Sequence, residues 1–163
     1  MELKALEPAV LALGDTLRAR GWRMATAESC TGGLIAAACT AVAGSSDWFE
    51  RGFVTYSNAA KTELLGVLPS LIAAHGAVSE EVALAMASGA LTHAPVDLAV
   101  AVTGIAGPGG AVPGKPVGTV WLAWGTAGGL QAERLQLAGD RTAVRWATVQ
   151  AALRRLRERA ASA

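Results

Sequence analysis

The sequence predicts one α/β domain, residues 1–163, with three layers: helices on both faces of a mixed, mainly parallel sheet. Three observations predict it. Strand-like and helix-like runs alternate along most of the chain. The short apolar run at residues 97–102 is typical of a strand buried on both faces. Near the C-terminus, two strand-like runs flank a short glycine-containing turn, which predicts a hairpin.

The first half of the chain alternates between the two kinds of element. Leu6, Val10 and Leu13 recur at helical spacing before Gly21, which can end that helix. The elements predicted next are a strand over residues 22–28, a helix over 31–42, a strand over 53–56, a helix capped by Asn58 and ended by Gly66, and a short helix from Pro69 to near Gly76.

The second half begins with a helix that Ser79 caps. The elements predicted after it are the strand at residues 97–102, a glycine-rich loop at 103–110, a strand at 117–126, its hairpin partner at 130–137 and a last helix that Asp140 caps. The apolar stripe of that helix is Trp146, Val149, Leu153, Leu156 and Ala160, and its solvated face carries Arg154, Arg155, Arg157, Glu158 and Arg159.

Composition excludes several classes of protein. Hydrophobic residues make up 52% of the chain and charged residues 17%, which argues against disorder. A net charge of +1 leaves no electrostatic footprint for nucleic acid or an anionic membrane, so we expect neither partner. The pair Cys30 and Cys39 lacks metal-ligand spacing and is too small for a disulfide framework. We therefore expect buried free thiols, no metal, and a cytoplasmic location without a leader segment.

The segment at residues 26–33 has the order strand, tight turn, helix. Ser29 lies at the turn, where backbone N–H groups lack partners and the helix dipole favours negative charge. A hydroxyl nucleophile, or the anion it attacks, suits this position. The alternative is a purely structural turn, which is common for such sequences.

The glycine-rich loop at residues 103–110 follows the end of a buried strand. Ligands of open α/β sheets bind at the carboxyl ends of strands, and glycines let backbone N–H groups approach a ligand closely. The glycine spacing matches neither a dinucleotide fingerprint nor a Walker-type phosphate loop. The alternative is a plain flexible connection.

Five segments together resemble the CinA C-terminal domain family. They are TAESCTGG at residues 26–33, GFVTYSN at 52–58, GAVSE at 76–80, TGIAGP at 103–108 and KPVGTV at 115–120. The resemblance implies a stand-alone nicotinamide-nucleotide amidohydrolase, without the pyrophosphatase-type domain of longer members. It also implies hydrolysis of nicotinamide mononucleotide (NMN) to nicotinate mononucleotide and ammonia, without a cofactor.

The resemblance further implies a serine nucleophile acting with a lysine and a tyrosine, and the matching residues here are Ser29, Lys61 and Tyr56. Many relatives have a glutamate where this chain has Ala59. Lys61 could act as a base only if its pKa falls well below the usual ~10.4. We expect the Tyr56 hydroxyl to bridge Ser29 and Lys61. Taken alone, Lys61 would be an exposed helix residue and Tyr56 a core residue.

Other candidate nucleophiles and bases are weaker. Cys30 is intrinsically more reactive than a serine, but neighbouring residues of an extended segment point to opposite faces, so Cys30 should face the core if Ser29 faces the site. His75 and His93 fall near predicted helix ends and are expected to be surface residues.

Substrate contacts are assigned to two further groups of residues. Thr103 is expected to orient the substrate, and N–H groups near Gly104 and Ile105 are expected to stabilise the oxyanion. The phosphate is expected to bind Arg141 and Arg145 at the start of the last helix, or else the competing cradle of Thr31, Gly32 and Gly33.

Two further interpretations stay open. The chain could be a nucleotide-binding or competence- and DNA-damage-associated interaction module of the same fold, or it could hydrolyse a related carboxamide. A homo-oligomer is expected from the resemblance and from abundant large apolar side chains, namely Trp48, Phe49, Trp121, Trp124 and Trp146.

Overall fold

The structure is a computed structural model that describes residues 2–162. Its strands are β1 (Met24–Glu28), β2 (Phe49–Val54), β3 (Leu98–Gly104), β4 (Thr119–Thr126) and β5 (Gly129–Gln136). Its α-helices are α1 (Glu7–Arg20), α2 (Leu34–Thr40), α3 (Asn58–Leu65), α4 (Pro69–His75), α5 (Glu80–His93) and α6 (Arg141–Ser162).

The strands form one sheet in the order β2-β1-β3-β4-β5. β1 is parallel to both β2 and β3, and β4 is antiparallel to both β3 and β5. Among these strands only β4 therefore runs against the others. The predicted mixed, mainly parallel sheet and the C-terminal hairpin are confirmed.

Side chains alternate between the two faces of the sheet and define two cores. Larger side chains such as Val100 and Leu122 face α1, α2 and α6. The opposite face presents small side chains such as Ala25, Ala99 and Ala123, which pack against α3, α4 and α5. This division confirms the predicted three layers, because a sheet covered on both faces needs a helical layer on each side.

Most predicted helix ends are confirmed by their local geometry. Gly21 and Gly66 follow α1 and α3 in the left-handed conformation that glycine adopts readily. The side chains of Ser79 and Asp140 cap α5 and α6. The prediction that Asn58 caps α3 is wrong by one residue, because the Ser57 hydroxyl accepts the Ala60 N–H.

The predicted bounds of two strands are also wrong, and β2 begins at Phe49 instead of at residue 53. β2 ends at Val54, so Tyr56 lies in the loop that follows the strand. β3 continues through Thr103 and Gly104, which were assigned to the glycine-rich loop. Gly104 tolerates no side chain there, because an added Cβ would lie 2.6 Å from Val120 Cγ2.

Two surface predictions need correction. Trp48 and Trp124 are buried in the core, and Phe49, Trp121 and Trp146 are partly buried, so these residues supply less exposed apolar surface than the sequence predicted. On the face of α6 predicted to be solvated, Arg155 instead forms an ion pair with Glu133 and its guanidinium lies over the Trp124 ring.

Candidate active site

Ser29 directly follows β1 at the carboxyl edge of the sheet. Its N–H donates to the Val102 carbonyl (3.0 Å), and its carbonyl accepts the Gly32 N–H (3.0 Å). Gly32 and Gly33 have φ values of 59° and 97°, which delays the start of α2 from the predicted residue 31 to Leu34. The result is a tight turn that holds Ser29, whose side chain is largely buried.

Lys61 reaches Ser29 from α3. Its Nζ lies 3.0 Å from Ser29 Oγ and 2.9 Å from the Thr55 carbonyl oxygen. Only 1% of Lys61 is exposed, and this burial lowers the pKa of its amine below the usual value for lysine. A neutral amine in this place can donate to Thr55 and accept the proton of the Ser29 hydroxyl.

Tyr56 does not bridge the two residues, contrary to the sequence prediction. Because β2 ends before it, its side chain lies at the rim with 61% exposed. Its hydroxyl accepts a hydrogen bond from Arg141 Nη2 at 2.9 Å. Contact between Ser29 and Lys61 is direct.

The first turns of α6 bring two arginines to the site. Arg141 Nη1 donates to the Gly107 carbonyl (2.9 Å), and Nη2 of the same guanidinium donates to the Tyr56 hydroxyl. Arg141 therefore links Tyr56 to the loop after β3. Arg145 donates from Nε to Cys30 O (3.2 Å) and from Nη2 to Thr31 O (2.9 Å). Arg145 thus supports the turn that carries Ser29, and Arg141 is the more exposed of the two cations.

The predicted phosphate cradle at Thr31, Gly32 and Gly33 is not supported. The N–H groups of Ile35 and Ala36 donate to the buried carboxylate of Glu28, and so does the Thr31 hydroxyl. This helix N-terminus already holds a negative charge, which would repel a phosphate. Sequence reasoning missed this role of Glu28, because the residue lies well before Leu34, where α2 begins, and outside the local position at which a helix cap is recognised.

The residues at the end of β3 also have structural partners. The buried Thr103 hydroxyl donates to the Ala77 carbonyl at 2.8 Å, which ties β3 to the segment before α5. The Ile105 N–H donates to the Thr119 carbonyl at 2.9 Å. The Ile105 N–H is therefore occupied, whereas an oxyanion role for the other N–H groups near Gly104 stays a prediction.

The expected burial of the two cysteines and the expected surface position of the two histidines are confirmed. Cys30 and Cys39 are buried free thiols, and burial raises the pKa of Cys30 to about 12. Cys30 packs into the core beside β1, on the face opposite to that of Lys61. Both histidines lie at the surface, where His75 approaches Glu81 and His93 Nδ1 contacts the Gly89 carbonyl.

Within residues 2–162, no cluster of three or more histidine, cysteine, aspartate or glutamate side chains has a geometry able to hold a metal ion. Over the same residues, no helix has the length and apolar character needed to cross a membrane.

Together the fold and the site define an α/β protein whose serine and buried lysine meet at the carboxyl edge of a mixed sheet. The chain belongs to the CinA C-terminal domain family, which matches residues 7–160.

Curated and solved relatives resemble most of the chain. It is 55% identical over 146 residues to "Nicotinamide-nucleotide amidohydrolase PncC" of Enterobacter agglomerans, covering 89% of each chain. It is 57% identical over 141 residues to the protein of the same name from Pseudomonas putida, covering 86% of this chain and 88% of that one. The crystal structure of the competence damage-inducible protein A from Klebsiella pneumoniae superposes with a TM-score of 0.92 at 43% identity, covering 95% of this chain and 96% of that one.

Proposed function

We propose that this protein hydrolyses the carboxamide of NMN to nicotinate mononucleotide and ammonia, with Ser29 as nucleophile and Lys61 as base. The observation that carries the proposal is the 3.0 Å contact between Lys61 Nζ and Ser29 Oγ. A lysine with a lowered pKa beside a serine hydroxyl is an arrangement suited to nucleophilic attack on an amide. The names of relatives at 55–57% identity supply the substrate.

In the proposed reaction, neutral Lys61 takes the hydroxyl proton while Ser29 Oγ attacks the carboxamide carbon. The tetrahedral intermediate collapses, the C–N bond breaks, and protonated Lys61 returns its proton to the departing ammonia. Water then attacks the acyl-serine ester and gives a proton to Lys61, and Ser29 leaves with a proton from the same amine. Over the whole cycle, the amide and one water molecule are converted into the carboxylic acid and ammonia.

Arg141 and Tyr56 are proposed to bind the rest of the substrate at the mouth of the site. Arg141 carries a fixed positive charge and lies exposed beside the Tyr56 hydroxyl. An arginine is well suited to a phosphate because its N–H groups can form paired hydrogen bonds. The phosphate of NMN then lies at the rim while its carboxamide reaches Ser29.

We also propose that residues 1–163 form one domain that works as a cytoplasmic homo-oligomer. The two free, buried cysteines support a reducing compartment. The oligomer rests on the family resemblance, and light scattering of the purified protein would give its mass. A monomeric mass at assay concentration would contradict it.

The substrate is tested by ammonia release with EDTA present. NMN, nicotinamide riboside and nicotinamide are compared with the wild type and Arg141→Met. We expect turnover of NMN, and a loss in kcat/KM of about a hundredfold or more for the riboside, because it lacks the phosphate. In Arg141→Met the preference for NMN should shrink, while the riboside rate stays similar.

Absence of ammonia from every substrate would overturn the proposal. If NMN nevertheless raises the melting temperature of such an inactive protein, the chain is a nucleotide-binding module. Equal rates with NMN and the riboside would reject the phosphate site at Arg141.

A further inference from the structure

Glu28 is a fully buried carboxylate adjacent in sequence to Ser29. Oε1 accepts the Thr31 hydroxyl (2.7 Å) and the Ile35 N–H (2.8 Å). Oε2 accepts the Ala36 N–H (2.9 Å) and, at a longer distance of 3.3 Å, the Thr26 hydroxyl. Both oxygens of this side chain are therefore fully used by neighbours within the protein.

These hydrogen bonds replace a cap that α2 lacks. The residue before α2 is Gly33, which has no side chain to satisfy the first N–H groups of the helix. Glu28 reaches those groups from the end of β1 instead. The helix dipole and the N–H donors offset the cost of burying the charge, which would be large for an unpaired carboxylate.

The carboxylate also closes the turn that carries Ser29. Glu28 immediately precedes Ser29 in the sequence. Three of the groups that donate to it come after Ser29, on Thr31, Ile35 and Ala36. These hydrogen bonds therefore connect the chain before the nucleophile to the chain after it. Ser29 itself is tied to β3 through its N–H. The position of Ser29 Oγ relative to Lys61 is thus set by backbone that Glu28 holds.

We propose that Glu28 is a positioning residue, whose carboxylate fixes the Ser29 turn so that the hydroxyl stays within hydrogen-bond reach of Lys61. The inference rests on the proposed function, because its effect on catalysis is read through NMN hydrolysis. An amide cannot replace the carboxylate, since its NH2 group cannot accept the hydrogen bonds made to one of the two oxygens.

Glu28→Gln keeps the shape of the side chain and replaces one of the two acceptor oxygens with an NH2 group, which cannot accept. We expect kcat for NMN to fall about a hundredfold, because a displaced nucleophile loses alignment with its base, and KM to change by about threefold or less. Amide hydrogen exchange should accelerate at Ile35 and Ala36.

The matched control is Cys39→Ala, which destabilises α2 without touching the turn, since Cys39 is buried in the core. Both variants are compared with the wild type at the same interval below their own melting temperatures. The control should keep kcat near the wild-type value. If Glu28→Gln also keeps kcat and its exchange pattern, the inference is overturned.

A second pair of variants applies if Glu28→Gln fails to fold. Thr31→Val removes one donor to Glu28 at nearly constant volume, and Thr31→Ser restores it. We expect kcat to fall in the valine variant and to recover in the serine variant. Equal kcat in both would overturn the inference, whereas an inactive wild type would refute the proposed function and leave the exchange data as the test of Glu28.

Discussion

Lys61 Nζ and Ser29 Oγ lie 3.0 Å apart although 32 residues separate them in the sequence. Ser29 comes from the end of β1, and Lys61 comes from α3 on the face opposite to α2. The parallel pairing of β1 with β2 brings the two together, because the chain leaves β2 at the same edge at which β1 ends. The proposed chemistry depends on this contact.

The first prediction concerns the pH dependence of turnover. Lys61 must be neutral to accept a proton, and burial lowers its pKa, so kcat should rise with pH through that lowered pKa and level off before pH ~10.4. Measuring kcat rather than kcat/KM avoids titration of the free substrate's phosphate, whose pKa is about 6. A kcat that rises only near pH 10 would contradict the prediction.

Lys61 should also lower the stability of the folded protein, because its charged form is disfavoured by burial. Between the lowered folded pKa and ~10.4, the unfolded state binds a proton that the folded state does not, so stability rises with pH. Urea unfolding measures this effect when the wild type is compared with Lys61→Met, which has no amine to titrate. Within that window, the free energy of unfolding of the wild type should rise relative to that of Lys61→Met by up to about 1.4 kcal/mol per pH unit. A difference that is independent of pH would refute this prediction.

Cys30 should be inert in the native protein. Only 7% of it is exposed, and burial raises the pKa of its thiol to about 12, so little thiolate forms near neutral pH. Iodoacetamide at pH 8 should leave Cys30 and Cys39 unlabelled in native protein and label both after denaturation, as mass spectrometry can show. Rapid inactivation that NMN prevents would indicate a reactive cysteine in the site.

Tyr56→Phe should affect substrate binding more than the chemical step. The substitution removes the hydroxyl that accepts from Arg141 and leaves the contact between Ser29 and Lys61 unchanged. We expect KM for NMN to rise about tenfold with little change in kcat, as for a lost hydrogen bond to a charged group. The test is steady-state kinetics of Tyr56→Phe and Arg141→Met. In both variants KM should rise while kcat changes little. A drop in kcat of about a hundredfold would instead support a proton relay through Tyr56.

The sequence predicted those parts of the fold that depend on local interactions. Ser79 and Asp140 cap helices, and Gly21 and Gly66 end them, because caps and left-handed glycines act within a few residues. The position of Ser29 at the carboxyl edge of a strand followed from the order strand, turn, helix.

The partners of the site residues could not be predicted in the same way. The role of Glu28 was missed because its carboxylate oxygens can accept the N–H groups of Ile35 and Ala36 only after the turn has folded and brought those groups close. Tyr56 was misplaced because the end of β2 depends on pairing with β1, which fixes Val54 opposite Glu28. These contacts arise from the three-dimensional arrangement of segments and leave no pattern within any one of them.

The most direct test of the central claim is ammonia release from NMN by Ser29→Ala, Lys61→Ala and Cys30→Ala, each shown to be folded, beside the wild type. We predict that Cys30→Ala retains turnover and that the other two lose about a thousandfold or more in kcat. Loss of turnover in Cys30→Ala, or near-normal turnover in folded Ser29→Ala, would contradict the assignment of Ser29 as nucleophile.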